Sequence, residues 1–175
     1  MMAIWTLGHS NRSWGEFLTL LRSQRIEQVA DVRRFPGSRK HPQFGQEELP
    51  QRLATSGLAY QHIIELGGRR RSNPGSINTV WRNPAFRAYA DYMQTESYRS
   101  GRARLLQMVA HGRTALLCSE AVWWRCHRAL IADDLKSAGI LVLHIMSPTK
   151  VVEHPYTTAA SVVDGQLVYG PASPH

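Results

Sequence analysis

The chain has 175 residues, 43% of them hydrophobic, which is enough to form a folded core without help from a cofactor. Its 21 lysines and arginines against 13 aspartates and glutamates give a formal net charge of +8. Two cysteines are too few for a disulfide framework, and no apolar run approaches the roughly 18 residues of a membrane span. The N-terminus lacks the pattern of a secretory signal, so we expect a soluble, cytoplasmic protein in a reducing compartment.

Arginine carries nearly all of the positive charge, because lysine occurs only at Lys40, Lys136 and Lys150. The planar arginine side chain suits bidentate contact with phosphate or with a base edge. The charge therefore predicts a polyanionic partner, either nucleic acid or a phosphorylated nucleotide. A high-GC coding bias would produce the same excess of arginine, and that alternative stays open.

In the first half of the chain, predicted strands alternate with predicted helices. The apolar segments with strand character are residues 3–7, 28–32 and 58–64. The first strand ends at the turn-forming "GHSN", after which Ser13 and Glu16 have the spacing of a capping box. A basic loop rich in proline and glycine follows the second strand, and a weak helix is predicted over residues 47–56.

The second half of the chain continues the alternation. Asn83 can cap a helix whose first turn accommodates Pro84. Asp164-Gly165 between two apolar runs predicts a hairpin. The remaining predicted elements are helices over residues 96–110 and 122–138 and strands over residues 114–118 and 140–145.

This alternation predicts an α/β fold, since parallel strands need crossover connections. We expect a single three-layer domain with a mainly parallel open sheet of about five strands. Its core would cover residues 3–146, and a short C-terminal hairpin would extend over about 160–170. There is neither a G-x-G-x-x-G turn nor a P-loop, so no cofactor is expected.

Polar and titratable residues cluster where the predicted strands end. Ligands of open α/β sheets bind beyond the carboxyl ends of the strands, so we expect a polar ligand site or catalytic site there. In strand order, the residues delivered are His9, Ser10 and Asn11; Asp31, Arg33 and Arg34; His62 and Glu65; Cys118, Ser119 and Glu120; and His144. Structural roles remain open for Asp31, which could pair with Arg33, and for Glu65, which precedes several arginines.

Glu120 is the sharpest catalytic candidate. At the mouth of the predicted helix, a carboxylate would be stabilised in its charged form and would suit a nucleophile or a stabiliser of positive charge at a sugar anomeric carbon. Of Trp123 and Trp124, one could face the sheet and the other could stack on a base. Arg125 and Arg128 share a helix face and could bind phosphate or simply face solvent.

The two cysteines favour neither a metal site nor a nucleophile. Cys118 and Cys126 are eight residues apart with His127 adjacent, which does not match the close spacing of structural zinc sites, so we expect no metal. Cys118 follows a strand, as a phosphatase or sulfurtransferase cysteine would. However, Glu120 would repel an oxyanion bound there. Cys126 is expected to pack as a small apolar residue.

A second basic block is "GGRRRSNPGSINTVWRNPAFR". It interleaves Arg69 and Arg70 and later arginines with Trp81 and Phe86, a mixture typical of surfaces that bind single-stranded or distorted nucleic acid. A solvated loop is the alternative.

Five segments, in order along the chain, resemble the bacterial family called domain of unknown function 488. They are "TLGHSNRSWGEFLTLL", "VADVRRFPGSRKHPQF", "ELGGRR", "NPAFRAYADYM" and "LLCSEAVWWRCHRALIADDL". The resemblance runs from Trp5 to about Ile145, and the family's usual "CAEAVWWRCHR" differs here by Ser119 in place of alanine. It implies a small α/β domain and brings no established reaction, so the mechanism has to be argued from the residues.

Two hypotheses follow. In the first, an enzyme cleaves or exchanges an N-glycosidic bond: Glu120 acts at the anomeric centre, Asp31 or Glu65 orients water, and His9 and Asn11 contact base or phosphate. The residues expected to hold the nucleic-acid backbone are Arg33, Arg69 and Arg70. In the second hypothesis, a non-catalytic module binds nucleic acid or a phosphorylated ligand through the same arginines and has no use for Glu120.

Overall fold

The computed structural model describes residues 2–37 and 39–171, in which one six-stranded sheet forms the centre. Its strands are β1 (Ala3–Gly8), β2 (Gln28–Asp31), β3 (Ala59–His62), β4 (Thr114–Cys118), β5 (Leu141–Ser147) and β6 (Lys150–Glu153). Their order across the sheet is β3-β2-β4-β1-β5-β6. All neighbours are parallel except β5 and β6, which are antiparallel.

Helices connect the parallel strands. The described α-helices are α1 (Trp14–Ser23), α2 (Leu49–Thr55), α3 (Pro84–Tyr92), α4 (Glu96–His111) and α5 (Arg128–Ser137). Short 3-10 turns lie at Pro42–Phe44, Ile64–Leu66 and Trp123–Arg125. None of the helices in the described part of the chain has the length and apolar character needed to cross a bilayer.

The predicted helix starts of α1 and α3 are confirmed. Ser13 and Glu16 form a reciprocal capping box, in which the Ser13 hydroxyl accepts from the Glu16 backbone and the Glu16 carboxylate accepts from the Ser13 backbone. The Asn83 side chain accepts from the backbone N–H groups of Ala85 and Phe86, and Pro84 occupies the first turn.

The sheet is covered on both faces by separate apolar clusters, which confirms the expected three-layer α/β architecture. One cluster packs α1 and α2 against the sheet through residues such as Phe17 and Leu53. The other packs α3, α4 and α5 through residues such as Tyr89, Leu105 and Leu130. Because the sheet is sandwiched, its carboxyl-terminal edge is the place where ligand-binding loops can gather.

The predicted C-terminal hairpin is also confirmed. It consists of β7 (Ser161–Val163) and β8 (Gln166–Val168), which pair antiparallel. Both residues of the connecting turn have positive φ, 51° at Asp164 and 78° at Gly165. This conformation is the one a tight two-residue hairpin turn requires, and Asp-Gly adopts it readily.

Two details differ from the sequence-based expectation. The sheet has a sixth strand, β6, because the chain turns back after β5 and pairs with it. The last long helix begins at Arg128 instead of residue 122, because Cys126 is extended (φ −124°, ψ 147°) and separates a 3-10 turn from α5. Glu120 therefore does not lie at a helix N-terminus, and the expected stabilisation by a helix dipole does not apply to it.

Candidate functional site

A cavity of about 630 Å³ lies beyond the carboxyl ends of β1, β2 and β4. Its volume falls within the range of roughly 300–1,000 Å³ that is typical of small-molecule sites. The lining residues are His9, Ser10, Asn11, Arg33, Arg34, Phe35, Gly37, His41, Gly68, Arg69, Ala85, Phe86, Tyr89, Cys118, Ser119, Glu120, Arg125, Cys126 and His127.

The loops that follow β1 and β4 are joined by backbone hydrogen bonds beyond the strands. The His9 N–H donates to the Cys118 carbonyl and the Ser10 N–H to the Ser119 carbonyl, both at 2.9 Å. Gly8 makes this approach possible, because a Cβ added there would lie 1.6 Å from the Glu120 carbonyl oxygen. The "GHSN" and "CSE" segments are consequently held side by side on one wall of the cavity.

Arg128 holds the Glu120 backbone in place and does not line the cavity. Its guanidinium is only 1% exposed and donates to the carbonyl oxygens of Glu120 at 2.6 Å and Ala121 at 3.3 Å. It also donates to the Thr6 hydroxyl at 3.3 Å. Burial lowers the pKa of Arg128 to about 10, so the side chain still carries its charge at neutral pH. Arg128 is thus a positioning residue in this structure, and the buried side chain corrects both roles that the sequence left open, a phosphate ligand and a solvent-facing residue.

Asp31 has a similar supporting role. Its side chain is completely buried and accepts two hydrogen bonds from the Arg33 guanidinium, at 2.9 and 2.7 Å, and one from the Tyr60 hydroxyl at 2.6 Å. Burial, together with the charge of Asp31, raises the pKa of Tyr60 well above its usual value. Asp31 therefore fixes the orientation of Arg33, which reaches the cavity, and Asp31 itself does not line it.

The other cavity arginines are more accessible than Arg33. Arg34, Arg69 and Arg125 line the cavity, and the Arg34 guanidinium donates to the Arg69 carbonyl oxygen. The Arg34 guanidinium also lies 5.3 Å from the centre of the Phe35 ring, which is 65% exposed. Cations beside an exposed aromatic ring form a surface suited to an anion that carries a flat ring.

His9 is held in one tautomer. Its Nδ1 lies 2.8 Å from the Ser10 carbonyl oxygen, so Nδ1 carries the proton and Nε2 carries the lone pair. The ring stacks on Phe44 with 4.6 Å between centroids. Burial lowers the pKa of His9 to about 4, which keeps the imidazole neutral at pH 7. His9 can therefore accept a proton or a hydrogen bond from a group in the cavity.

Glu120 is the carboxylate that the described residues contribute to the cavity lining. It is exposed and takes part in none of the salt bridges formed within residues 2–37 and 39–171. Its backbone is fixed by Arg128, while its side chain remains accessible. This combination leaves the carboxylate available to a ligand.

Cys118 and Cys126 are joined by a disulfide, which the sequence did not predict. Residues 119–125 form a loop between the two cysteines, and this loop brings Cys126 next to Cys118 at the end of β4. His127 lies against this pair, with Nδ1 at 3.6 Å from the Cys126 sulfur. Its Nε2 lies 2.9 Å from the Val32 carbonyl oxygen and 3.1 Å from that of Leu66, and burial lowers the pKa of His127 to about 4.

Several predicted site residues lie outside the cavity lining. Glu65 pairs with Arg104 at 2.9 Å. The Arg70 guanidinium lies 3.7 Å from the centre of the Tyr92 ring and donates to backbone carbonyl groups. Glu65 and Arg70 therefore have structural contacts, Glu65 in an ion pair and Arg70 packed on an aromatic ring.

The tryptophan pair also lies away from the cavity lining. Trp123 stacks on His144 with 4.7 Å between centroids and an angle of 3° between the rings. Trp124 packs edge-on against Trp123 and is 52% exposed. The expectation of one packed and one exposed ring describes the pair correctly, but neither ring lines the cavity.

His144 belongs to a buried chain of hydrogen bonds and does not reach the rim. Its Nδ1 lies 2.5 Å from the Thr6 hydroxyl, and its Nε2 lies 2.8 Å from His154 Nδ1. His154 Nε2 in turn lies 2.8 Å from Asp133 Oδ1, and the Tyr169 hydroxyl donates to Asp133 Oδ2 at 2.7 Å. Burial lowers the pKa of His144 to about 2. These hydrogen bonds join helix α5, which contains Asp133, to the segment after β6, which contains His154.

Sequence reasoning missed about half of the lining. The missed residues are Phe35, Gly37, His41, Gly68, Ala85, Tyr89, Cys126 and His127, whereas Phe86 was predicted as part of the second basic block. The signals that could have found some of them were the long basic loop after β2 and the double glycine of "ELGG". In this loop Arg69 has a positive φ of 59°, a conformation that is uncommon for a residue with a side chain.

Comparison with curated proteins gives no match, and neither does comparison with solved structures. A family profile described as "Domain of unknown function DUF488" matches residues 13–135, which is most of the chain. The matched segment contains α1, β2, β4 and most of the cavity lining. The chain therefore belongs to the DUF488 family.

Proposed function

We propose that this protein is a cytoplasmic enzyme that cleaves or transfers the N-glycosidic bond of a nucleotide or nucleic acid. The observation that carries the proposal is the cavity, in which an accessible carboxylate, Glu120, faces a lining rich in arginine. Four arginines in the same lining as this carboxylate favour an anionic ligand. A substrate that is anionic at one end and develops positive charge at another requires both groups.

Arginines would bind the anionic end of the substrate. Arg33 is oriented by Asp31, so its guanidinium can contact phosphate without first being ordered, and Arg34, Arg69 and Arg125 are accessible to the same ligand. Phe35, which is exposed beside Arg34, offers a face on which a base can stack.

Glu120 would act at the anomeric carbon. As the C1′–N bond breaks, its electron pair leaves with the base and positive charge develops at C1′. A carboxylate stabilises this charge or adds to C1′ directly, and water then adds to C1′ to complete hydrolysis. Because Arg128 fixes the Glu120 carbonyl group, the carboxylate starts from a defined backbone position.

His9 is the residue best suited to take the proton from water. Its neutral ring presents the lone pair of Nε2, since Nδ1 donates to the Ser10 carbonyl. The sequence analysis had Asp31 or Glu65 orient this water, but Asp31 is bound to Arg33 and Glu65 to Arg104. We therefore transfer the role to His9 in this proposal.

A non-catalytic module is the second candidate. The exposed Phe35 and the accessible Arg34 and Arg69 favour it, because these groups alone could bind a single-stranded nucleic acid. Such a module does not need Glu120, whose charge would weaken the binding of phosphate. The two candidates thus differ in what they predict for the removal of this single charge.

The test measures base release from nucleotides and from oligonucleotides that carry modified bases. Glu120→Gln should lower the rate by about 100-fold or more, a typical effect of removing one electrostatic stabiliser of a transition state. Glu47→Gln, on an exposed residue outside the cavity lining, is the matched control and should leave the rate unchanged. Unchanged release after Glu120→Gln would remove this mechanism, and tighter oligonucleotide binding without any turnover would support the binding module.

A further inference from the structure

We propose that Cys118, Cys126 and His127 of the reduced protein form a binding site for Zn²⁺ at the floor of the cavity. The proposal concerns a metal site and does not depend on the N-glycosidic reaction. The disulfide between the two cysteines is the oxidised state of the same cluster, and its two-electron reduction by an external dithiol, which is itself oxidised to a disulfide, supplies two thiols in the cavity lining.

The donor atoms are already gathered. One sulfur from each cysteine and a ring nitrogen of His127 lie within 4.8 Å of one another. Thiolate and imidazole are the ligands that Zn²⁺ prefers in proteins, and together they select it over the harder Mg²⁺ and Ca²⁺. The Cα atoms of Cys118 and Cys126 are 7.4 Å apart, wider than the roughly 4.4–6.8 Å usual for a disulfide. Two ligands of one ion accommodate that separation.

The tautomer of His127 suits a metal ligand. Its Nε2 lies close to the carbonyl oxygens of Val32 and Leu66, at 2.9 and 3.1 Å, and carbonyl groups only accept. Nε2 is therefore the protonated nitrogen, and Nδ1 presents its lone pair toward the Cys126 sulfur at 3.6 Å. Metal-binding histidines characteristically donate their second ring N–H to a carbonyl or carboxylate in this way.

Gly68 keeps the space beside this lone pair open. A Cβ added at Gly68 would lie 3.0 Å from His127 Nδ1 and 3.2 Å from the adjacent ring carbon. Any larger residue would press on the nitrogen that we assign as a ligand. Gly68, the second glycine of "ELGG", therefore leaves room for a metal ion beside His127 Nδ1.

The site would have three protein ligands and one open position. Cys118, Cys126 and His127 all line the cavity, so the fourth position faces the space that a ligand would occupy. Zinc sites with three protein ligands and an open position are typical of catalysis, whereas structural sites are closed by four.

The experiment uses the full chain, reduced and freed of metal, and titrates it with Co²⁺ as a spectroscopic substitute for Zn²⁺. We expect one Co²⁺ per chain, a thiolate-to-cobalt charge-transfer band, and displacement of Co²⁺ by Zn²⁺. Cys118→Ser, Cys126→Ser and His127→Ala should each weaken binding by about 100-fold or more, above the effect usual for a supporting group. His111→Ala, on an exposed histidine at the end of α4, is the control and should bind normally.

A second measurement needs no substitution and so is unaffected by misfolding of a variant. Zn²⁺ should protect both thiols of the wild-type protein from alkylation, and a chelator should restore their reactivity. The proposal is overturned if the reduced wild-type protein shows two reactive thiols whether or not Zn²⁺ is present, because the pair would then be a redox couple alone. Equal Co²⁺ binding by wild type and His127→Ala would also overturn it. Since metal uptake is measured without substrate, failure here is distinguishable from failure of the glycosidase assay.

Discussion

Arg128 is only 1% exposed, and its guanidinium donates to the Glu120 carbonyl oxygen at 2.6 Å. Arg128 therefore holds the loop in place, whereas Glu120 presents its side chain to the cavity. A buried cation that satisfies backbone carbonyl groups should matter for folding, whereas an exposed cation on the same loop should not.

We expect Arg128→Met to destabilise the protein by about 1–3 kcal/mol, because it leaves the part-buried carbonyl oxygens of Glu120 and Ala121 without their Arg128 donors. Arg125→Met is the matched control, since Arg125 is exposed, and we expect it to change stability by less than about 0.5 kcal/mol. Urea unfolding of the two variants measures the difference. Equal stability of the two would contradict the supporting role of Arg128.

Asp31→Asn should destabilise the protein by about 3–5 kcal/mol, because it removes one partner of a buried ion pair and leaves the Arg33 charge uncompensated. Tyr60→Phe removes only the hydrogen bond to Asp31 and should cost about 1 kcal/mol. Both are measured by urea unfolding. If Asp31→Asn lowers the free energy of unfolding by no more than Tyr60→Phe does, another group must compensate the charge of Arg33.

Gly8→Ala should destabilise the protein by about 1–3 kcal/mol, since the new methyl group would overlap the Glu120 carbonyl oxygen and push the loop away. Gly15→Ala makes the same chemical change in α1, where the nearest atom lies 4.0 Å from the new Cβ. That variant should gain about 0.5–1 kcal/mol from helix propensity. Thermal unfolding of both variants is the measurement, and the prediction fails if both shifts have the same sign.

Stability should decrease as the pH falls below about 6.5, the ordinary pKa of histidine. The folded protein holds His144 at a lowered pKa, mainly through burial and then through neighbouring His154 and Arg128, so the unfolded chain binds this proton more readily. The stability is fully present above pH 6.5 and is lost toward the folded pKa by up to about 1.4 kcal/mol per pH unit. Lowered pKa values at His9 and His127 act in the same direction.

The measurement for this prediction is the urea midpoint between pH 7 and pH 5. His144→Gln should have a smaller pH dependence than the wild type, whatever its stability at pH 7. His111→Ala is the control, because His111 is exposed at the end of α4. If His144→Gln and the wild type show the same slope, another group is responsible for the acid sensitivity.

Local signals in the sequence predicted the fold well. The capping box at Ser13, the Asn83-Pro84 start and the Asp164-Gly165 turn each depend on neighbouring residues only, and all three are confirmed. The sixth strand was missed, because its four residues form a strand only by pairing with β5. Apolar periodicity also extended α5 too far, since Val122 to Cys126 fit a helical pattern although Cys126 is held extended.

The location of the cavity was predictable, but the contacts of the residues around it were not. The strand-end rule placed His9, Arg33 and Glu120 together, and all three line the cavity. The pairing of Asp31 with Arg33, two residues away, was one of the roles that the sequence left open, but the contact of Asp31 with Tyr60, 29 residues away, depends on the fold and could not be predicted. For the same reason, the spacing of eight residues concealed the approach of Cys118 to Cys126.

The hydrogen bonds of Asp133 have a practical consequence for anyone who divides this chain into fragments. Asp133 is completely buried, and its donors, His154, Thr157 and Tyr169, all come later than residue 135, where the family match ends. A fragment cut to the matched segment would also lack the central strand β1 and the strand beside it, β5. The segment by which the family is recognised is therefore too short to be expressed as a stable piece.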